Sequence, residues 1–398
     1  MKPLASRTGR ISTSQTVAID AKYKRLKAEG KNVLSLGAGE PDLDTPDVAK
    51  DAAILSIQKG LTKYSAVTGL PALKEAIRQK FANDNHLYYP VADLTVSSGA
   101  KHCVFNTLLA LIEEGDEVLI PTPCWTTYPE LVRFMGGNPM LIETKFAQGF
   151  KLTAKQLLEA ITPRSKLLIL NSPGNPTGGV YSKDELMAIA EVVVEKDLYC
   201  LSDEIYEHIL YGSATHVSIA SLGPDIFART VTINGMSKAY AMTGWRIGFV
   251  GAPPALAAAI AAIQSHGTHH PANASQYAAL ACLQSDGGFV STLNQHLAEC
   301  REMALRRLAE IPDLMVLEPQ GAFYVFFDLR SYLGKSFEGK RLSTSMDISS
   351  YLLDTYLVAT VPGSAFGLEG YMRISFANSL TDLSAAMDRL VQGFKGLS

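Results

Sequence analysis

Residues able to carry covalent, proton-transfer and anion-binding chemistry crowd into one part of the chain. Ser202-Asp203-Glu204-Ile205-Tyr206 is followed by Ser237-Lys238-Ala239-Tyr240-Ala241-Met242-Thr243-Gly244-Trp245-Arg246. The amine of Lys238 can condense with an aldehyde, and among small and hydroxyl residues it can lose enough solvation to act as a nucleophile and later as a base. The hydroxyl of Ser237 and the guanidinium of Arg246 suit a phosphate. Upstream, the carboxylate of Asp203 could keep a pyridine nitrogen protonated. Each residue alone has an ordinary structural explanation, since most lysines are solvated and an aspartate after a strand often caps a turn. As an ordered set they match what pyridoxal 5'-phosphate needs.

Secondary structure must bring these groups to one place. From about residue 90 to 250, short β-branched runs alternate with longer helical patterns, which predicts an α/β fold with a mostly parallel sheet and helices on both faces. Leu94-Thr95-Val96 leads into Ser98-Gly99-Ala100, Val118-Leu119-Ile120 into Trp125, and Leu167-Leu168-Ile169-Leu170 into Asn175. In the same way Leu198-Tyr199-Cys200-Leu201 leads into Asp203 and Val231-Thr232-Ile233 into Lys238. Ligands of open α/β sheets bind beyond the carboxyl ends of the strands, so these separated positions are expected to converge. The pattern Cys103, Val104, Leu108, Leu111 and Ile112 predicts a helix buried on one face, with its N-terminal amides at Gly99 and Ala100 aimed at an anion. Ser182 and Glu185 have capping-box spacing. Ala255 to Ile263 reads as a buried helix, well short of the ~18 residues that cross a bilayer.

The length of 398 residues exceeds what one small core organises, so two domains are expected. Beyond about residue 290 a long amphipathic pattern precedes the strand-like runs 322–327 and 372–376, which predicts a smaller α+β domain. The expected division is 1–46 as an N-terminal arm that packs on the C-terminal segment, 47–290 as the large domain, and 291–398 as the small domain. A net charge of -3 and a pI near 6.3 leave no basic field for nucleic acid. Cys103, Cys124, Cys200, Cys282 and Cys300 are odd in number and far apart, which argues against a disulfide framework; Cys200 reads as strand core. Met1 to Gln15 lacks an apolar run, so no secretory signal is expected and the cytoplasm is the default location, with no membrane partner. His266, His269 and His270 have no companion acid or cysteine at ligand spacing, so no metal is expected and they read as lining of the site. Dinucleotide, P-loop, zincin and nucleophile-elbow motifs are absent from the sequence.

The chain resembles class I aminotransferases of the aspartate aminotransferase superfamily nearly end to end. The resemblance is carried by Gly37-Ala38-Gly39-Glu40-Pro41-Asp42, Tyr64 with Gly69-Leu70-Pro71-Ala72-Leu73, Ser98-Gly99-Ala100-Lys101, and Asn171-Ser172-Pro173-Gly174-Asn175-Pro176-Thr177-Gly178. The 202–206 and 237–246 blocks and Met372-Arg373-Ile374-Ser375 complete it. It implies a large domain around a seven-stranded-type sheet, pyridoxal phosphate as cofactor, amino and 2-oxo acids as substrates, and a homodimer.

Residue by residue, the resemblance makes Lys238 the lysine that binds the cofactor aldehyde. Its amine, once freed by substrate, can carry a proton between the substrate Cα and the cofactor C4′. Asp203 faces the pyridine nitrogen, Tyr206 and Asn175 bond the phenolic oxygen, and Trp125 lies against the ring and the substrate. Gly99, Ala100, Ser237 and Arg246 hold the phosphate, with Tyr64 reaching it from the neighbouring subunit. Arg373 takes the substrate α-carboxylate, assisted by Asn175 and the amide of Gly39. Lys101 meets either the distal carboxylate of an acidic substrate, as in a bacterial subgroup, or the phosphate. His269-His270-Pro271 departs from the small hydroxyl residues usual there. The implied activity is aspartate:2-oxoglutarate aminotransfer, ping-pong through pyridoxamine phosphate. Alternatives are an aromatic, prephenate or alanine aminotransferase and, on the same scaffold, a pyridoxal phosphate-dependent C-S lyase. A ligand-sensing regulator would need a helix-turn-helix for which little length remains before Gly37.

Overall fold

The structure is a computed structural model and describes residues 2–12 and 15–398. Met1, Thr13 and Ser14, part of the expected arm, lie outside the described residues. A seven-stranded sheet forms the larger body from β1 (Leu94–Ser97), β2 (Glu117–Thr122), β3 (Asn138–Glu143), β4 (Ser165–Asn171), β5 (Tyr199–Asp203), β6 (Thr230–Gly235) and β7 (Gly248–Gly251). Its spatial order is β1-β7-β6-β5-β4-β2-β3. Only β7 runs antiparallel to its neighbours. The other six strands therefore share a direction, and the five segments marked in the sequence leave the sheet at one edge.

Burial on both faces explains why these strands read as continuous apolar runs rather than alternating ones. Leu168 and Leu170 belong to one core cluster and Leu167 and Ile169 to another, on opposite sides of the sheet. The helix Ala100–Leu111 buries Cys103, Val104, Leu108 and Leu111 as its spacing predicted. Ser182 and Glu185 close a reciprocal capping box on Lys183–Glu195. The helix Pro254–His266 differs from expectation, since Leu256, Ala257 and Ile260 are buried while Ala255 and Ala258 face solvent. Alanine tolerates either environment, so an alanine-rich run does not reveal its exposed side.

A second sheet follows the long helix Gly288–Leu308 and contains β8 (Met315–Val316), β9 (Tyr324–Asp328), β10 (Val361–Pro362) and β11 (Tyr371–Ser375), in the order β10-β11-β9-β8. All its pairings are antiparallel. Leu34–Ser35 pairs with Val358–Ala359, which ties the N-terminal segment to this body. The first residues go elsewhere: Ser12 N donates to Glu130 at 2.7 Å and Arg10 pairs with Glu114, both in the larger body. The arm therefore spans the two bodies instead of packing only on the C-terminal segment. Among the described residues, no helix is long and apolar enough to cross a membrane.

Candidate active site

A cavity of about 600 Å³ opens at the carboxyl edge of the parallel strands. Gly39, Ala100, Lys101, Trp125, Asn175, Asp203, Tyr206, Ser237, Lys238, Arg246 and Arg373 all line it. Gly99 sits directly behind the wall as the N-cap of Ala100–Leu111, with φ +90°. A Cβ there would lie 2.3 Å from Nη2 of Arg246, so only glycine lets the guanidinium close over the helix N-terminus. The Arg246 guanidinium donates to the carbonyl of Thr243 at 2.9 Å and remains exposed on its outer side.

Lys238 donates to the carbonyl of Gly39. Burial pushes its amine down to about 8, with the cations of Arg373 and Arg246 adding to the effect against the pull of Glu40. Asp203 is pushed up to about 6 by burial, although Tyr128 Oη donates to its Oδ2 at 2.6 Å. A buried acid and a buried amine thus share one chamber with their proton affinities drawn together. Such pairs are the mark of acid–base sites.

Arg373 comes from β11, opposite Phe326 of β9. Its Nη1 donates to Asn175 Oδ1 at 2.9 Å and its Nη2 to the carbonyl of Gly37 at 2.7 Å, while Nε is buried without a partner. A buried guanidinium with an idle N–H is prepared for an anion. Asn175 is itself held by its N–H to Asn171 Oδ1 at 2.8 Å. The Lys101 ammonium lies 4.9 Å from the Trp125 ring centroid, and its pKa is lowered first by burial and then by Arg246.

Tyr64 is absent from this lining and is 89% exposed, its ring edge-on to His269 at 5.3 Å. His266, His269 and His270 do not line the cavity, contrary to expectation. Gln264 explains the difference, because its Nε2 binds the carbonyls of Val67 and Val96 and turns the following loop onto residues 64–67. His270 accepts from Ser65 N at 3.1 Å and donates to the carbonyl of Pro271. Tyr128, Tyr324 and Glu204 escaped the sequence reading. Tyr128 follows Trp125 by three residues, one helical turn, which was the available signal. Tyr324 sits in a run read only as strand. Glu204, beside Asp203, points away from the cavity into a buried group with Glu207, Lys80, Asn85, Ser218 and His216.

The family model described as aminotransferase class I and II matches residues 31–390. This chain belongs to that family. An aspartate/prephenate aminotransferase of Nitrosomonas europaea is 45% identical to this aminotransferase over 390 residues, covering 97% of this chain and 98% of the relative. An aspartate aminotransferase of Rhizobium meliloti is 44% identical over 396 residues, 99% of this chain and 97% of the relative. The solved aspartate aminotransferase from Rhizobium meliloti superposes with a TM-score of 0.96 at 43% identity, covering both chains fully. That from Thermus thermophilus with maleate gives 0.93 at 37%, over 99% of this aminotransferase and 100% of that chain. The enzyme is an aminotransferase with the expected α/β fold, and the family uses pyridoxal phosphate to act on amino and 2-oxo acids.

Proposed function

We propose that this aminotransferase binds pyridoxal 5'-phosphate and transfers the amino group of aspartate to 2-oxoglutarate as a cytoplasmic homodimer. One observation carries the reading: a buried amine near its midpoint at about pH 8 shares a chamber with a buried acid and a guanidinium whose Nε is idle. The residues fit the cofactor, since the Arg246 guanidinium that Gly99 admits over the N-terminus of Ala100–Leu111 suits a phosphate and Asp203 suits a pyridine nitrogen. Lys238, Asp203, Tyr206, Asn175, Trp125, Ser237, Arg246, Gly99 and Ala100 would hold it. When bound, the cofactor supplies an aldehyde and an electron-withdrawing ring that acidifies the substrate Cα.

The chain's own groups do the rest. Arg373 binds the α-carboxylate through a planar fork, with Asn175 and Gly39 fixing the amino acid beside Lys238. Lys238, its amine brought down to about 8 by burial, is the group placed to take the proton from Cα and would deliver it to the cofactor C4′. Lys101 is assigned to the distal carboxylate, in keeping with the relatives' names. Its response to Arg246 favours a phosphate contact as the second reading. A second copy would cover the exposed Ile57, Leu61 and Tyr64, placing Tyr64 at the neighbour's phosphate. Five buried free cysteines suit a reducing compartment. The division 1–46, 47–290 and 291–398 is retained as the domain proposal.

Borohydride reduction of the loaded enzyme followed by peptide mapping tests the assignment. Label at Lys238 is expected, and label elsewhere, or sustained multiple turnover by Lys238→Ala, refutes it. A donor and acceptor panel with Lys101→Ala separates the readings. Loss of aspartate preference supports the distal carboxylate role, loss of cofactor affinity alone supports the phosphate, and release of pyruvate and ammonia would indicate a lyase.

A further inference from the structure

Tyr324 touches two parts of the site at once. Its hydroxyl lies 2.8 Å from that of Tyr206, and both rings are buried. The guanidinium carbon of Arg373 sits 4.2 Å from the centroid of the same Tyr324 ring. Strand pairing produces this arrangement: Arg373 pairs with Phe326, so Tyr324, two residues before Phe326, is its diagonal neighbour on the same sheet face. Gly39 closes on the remaining side, where a Cβ would come 3.0 Å from Tyr324 Oη.

Two neutral phenols share one hydrogen bond, so one donates and the other keeps its proton for use elsewhere. The cation of Arg373 lies against Tyr324, which makes that hydroxyl the better donor of the two. Burial raises both phenols first and Arg373 acts to lower both, but at Tyr324 it is the leading opposing influence whereas at Tyr206 it comes after the raising effect of Tyr324 itself. With Tyr324 donating, the Tyr206 proton is free to point into the cavity.

We propose that Tyr324 is a positioning residue with two separable tasks: its hydroxyl aims the Tyr206 proton into the cavity, and its ring is the platform that orients Arg373. This rests on the reading that Tyr206 serves the cofactor's phenolic oxygen and Arg373 the substrate carboxylate. The two tasks predict different behaviour for two variants. In Tyr324→Phe the ring stays and the hydroxyl goes; the pH midpoint of the bound cofactor's absorbance should rise by about half to one pH unit, with kcat falling and succinate affinity within about threefold of the parent enzyme. In Tyr324→Leu succinate affinity should also fall at least about tenfold.

The decisive measurement is a double-mutant cycle on the absorbance midpoint. If Tyr324 acts through Tyr206, adding Tyr324→Phe to Tyr206→Phe shifts the midpoint no further. A parental midpoint in Tyr324→Phe, an additive shift in the double variant, or full succinate affinity in Tyr324→Leu overturns the proposal. Those failures are distinct from failure of the underlying reading, which would appear as loss of the Lys238 label in the parent enzyme.

Discussion

Replacing Tyr128 by Phe should make the stability of the cofactor-free protein more sharply dependent on pH, because it removes a side-chain donor on Asp203. Tyr128 Oη donates to Asp203 Oδ2 at 2.6 Å, and both groups are buried. A hydrogen bond to an ionised carboxylate contributes about 1.5–3 kcal/mol, and to a protonated one about 0.5–1.5 kcal/mol. The difference of about 1–2 kcal/mol corresponds to a rise of roughly one pH unit in the Asp203 midpoint. That midpoint is already about 6 in the folded protein against an ordinary 3.8.

The folded state thus holds this proton more tightly than the unfolded chain. Stability falls as pH rises from about 4 through 6, by roughly 3 kcal/mol once the group is fully ionised. In Tyr128→Phe the same decline should continue to about pH 7 and run about 1–2 kcal/mol deeper. Urea unfolding of the cofactor-free pair is the assay. A deficit of about 0.5–1.5 kcal/mol at pH 5, growing to about 1.5–3 kcal/mol at pH 8, is expected. A deficit that stays constant across that range would refute the argument that Tyr128 stabilises the charged form. Adding pyridoxal phosphate should narrow the gap, because a protonated pyridine nitrogen gives Asp203 a partner of its own.

Other perturbations test neighbouring parts. Arg373→Lys loses the fork while keeping the charge, and kcat/KM for aspartate should drop about 100- to 1,000-fold, equivalent to about 3–4 kcal/mol. The Lys238 amine of the cofactor-free protein should react with an acylating reagent with a midpoint near pH 8, which mass spectrometry of the labelled peptide would follow against surface lysines. Gly99→Ala should weaken cofactor binding at least about tenfold, measured by equilibrium titration, since its Cβ would collide with Arg246. Burial opposes ionisation of Glu207, yet Lys80, His208 and His216 outweigh it and hold the group down at about 2, so its contribution is present above its ordinary 4.5 and lost as pH falls toward 2. Lys80→Met should therefore cost about 3–5 kcal/mol at neutral pH in denaturant unfolding, with a smaller deficit in acid.

Much of the site was legible because its residues follow a local rule. Ala100, Trp125, Asn175, Asp203 and Lys238 each come after an apolar run, and a parallel sheet sends all such ends to one edge. Arg373 depended on resemblance, since a strand arginine by itself announces nothing about an anion. His269 and His270 were misplaced because loop direction is decided by Gln264, whose partners at Val67 and Val96 are 197 and 168 residues away in sequence.

What the sequence by itself determined is the chemistry available: an amine, an acid, a hydroxyl and a guanidinium beside a helix N-terminus, and a second guanidinium, in the order and spacing that an α/β fold delivers to one rim. Tertiary structure alone decided how those groups are tuned. Tyr128 meets Asp203 across 75 residues and Tyr206 meets Tyr324 across 118. The proton affinities of Lys238 and Asp203 are likewise set by what excludes water from them. The physical reason is that desolvation and long-range hydrogen bonding depend on which surfaces are pressed together, whereas strand ends and turns are written in neighbouring residues.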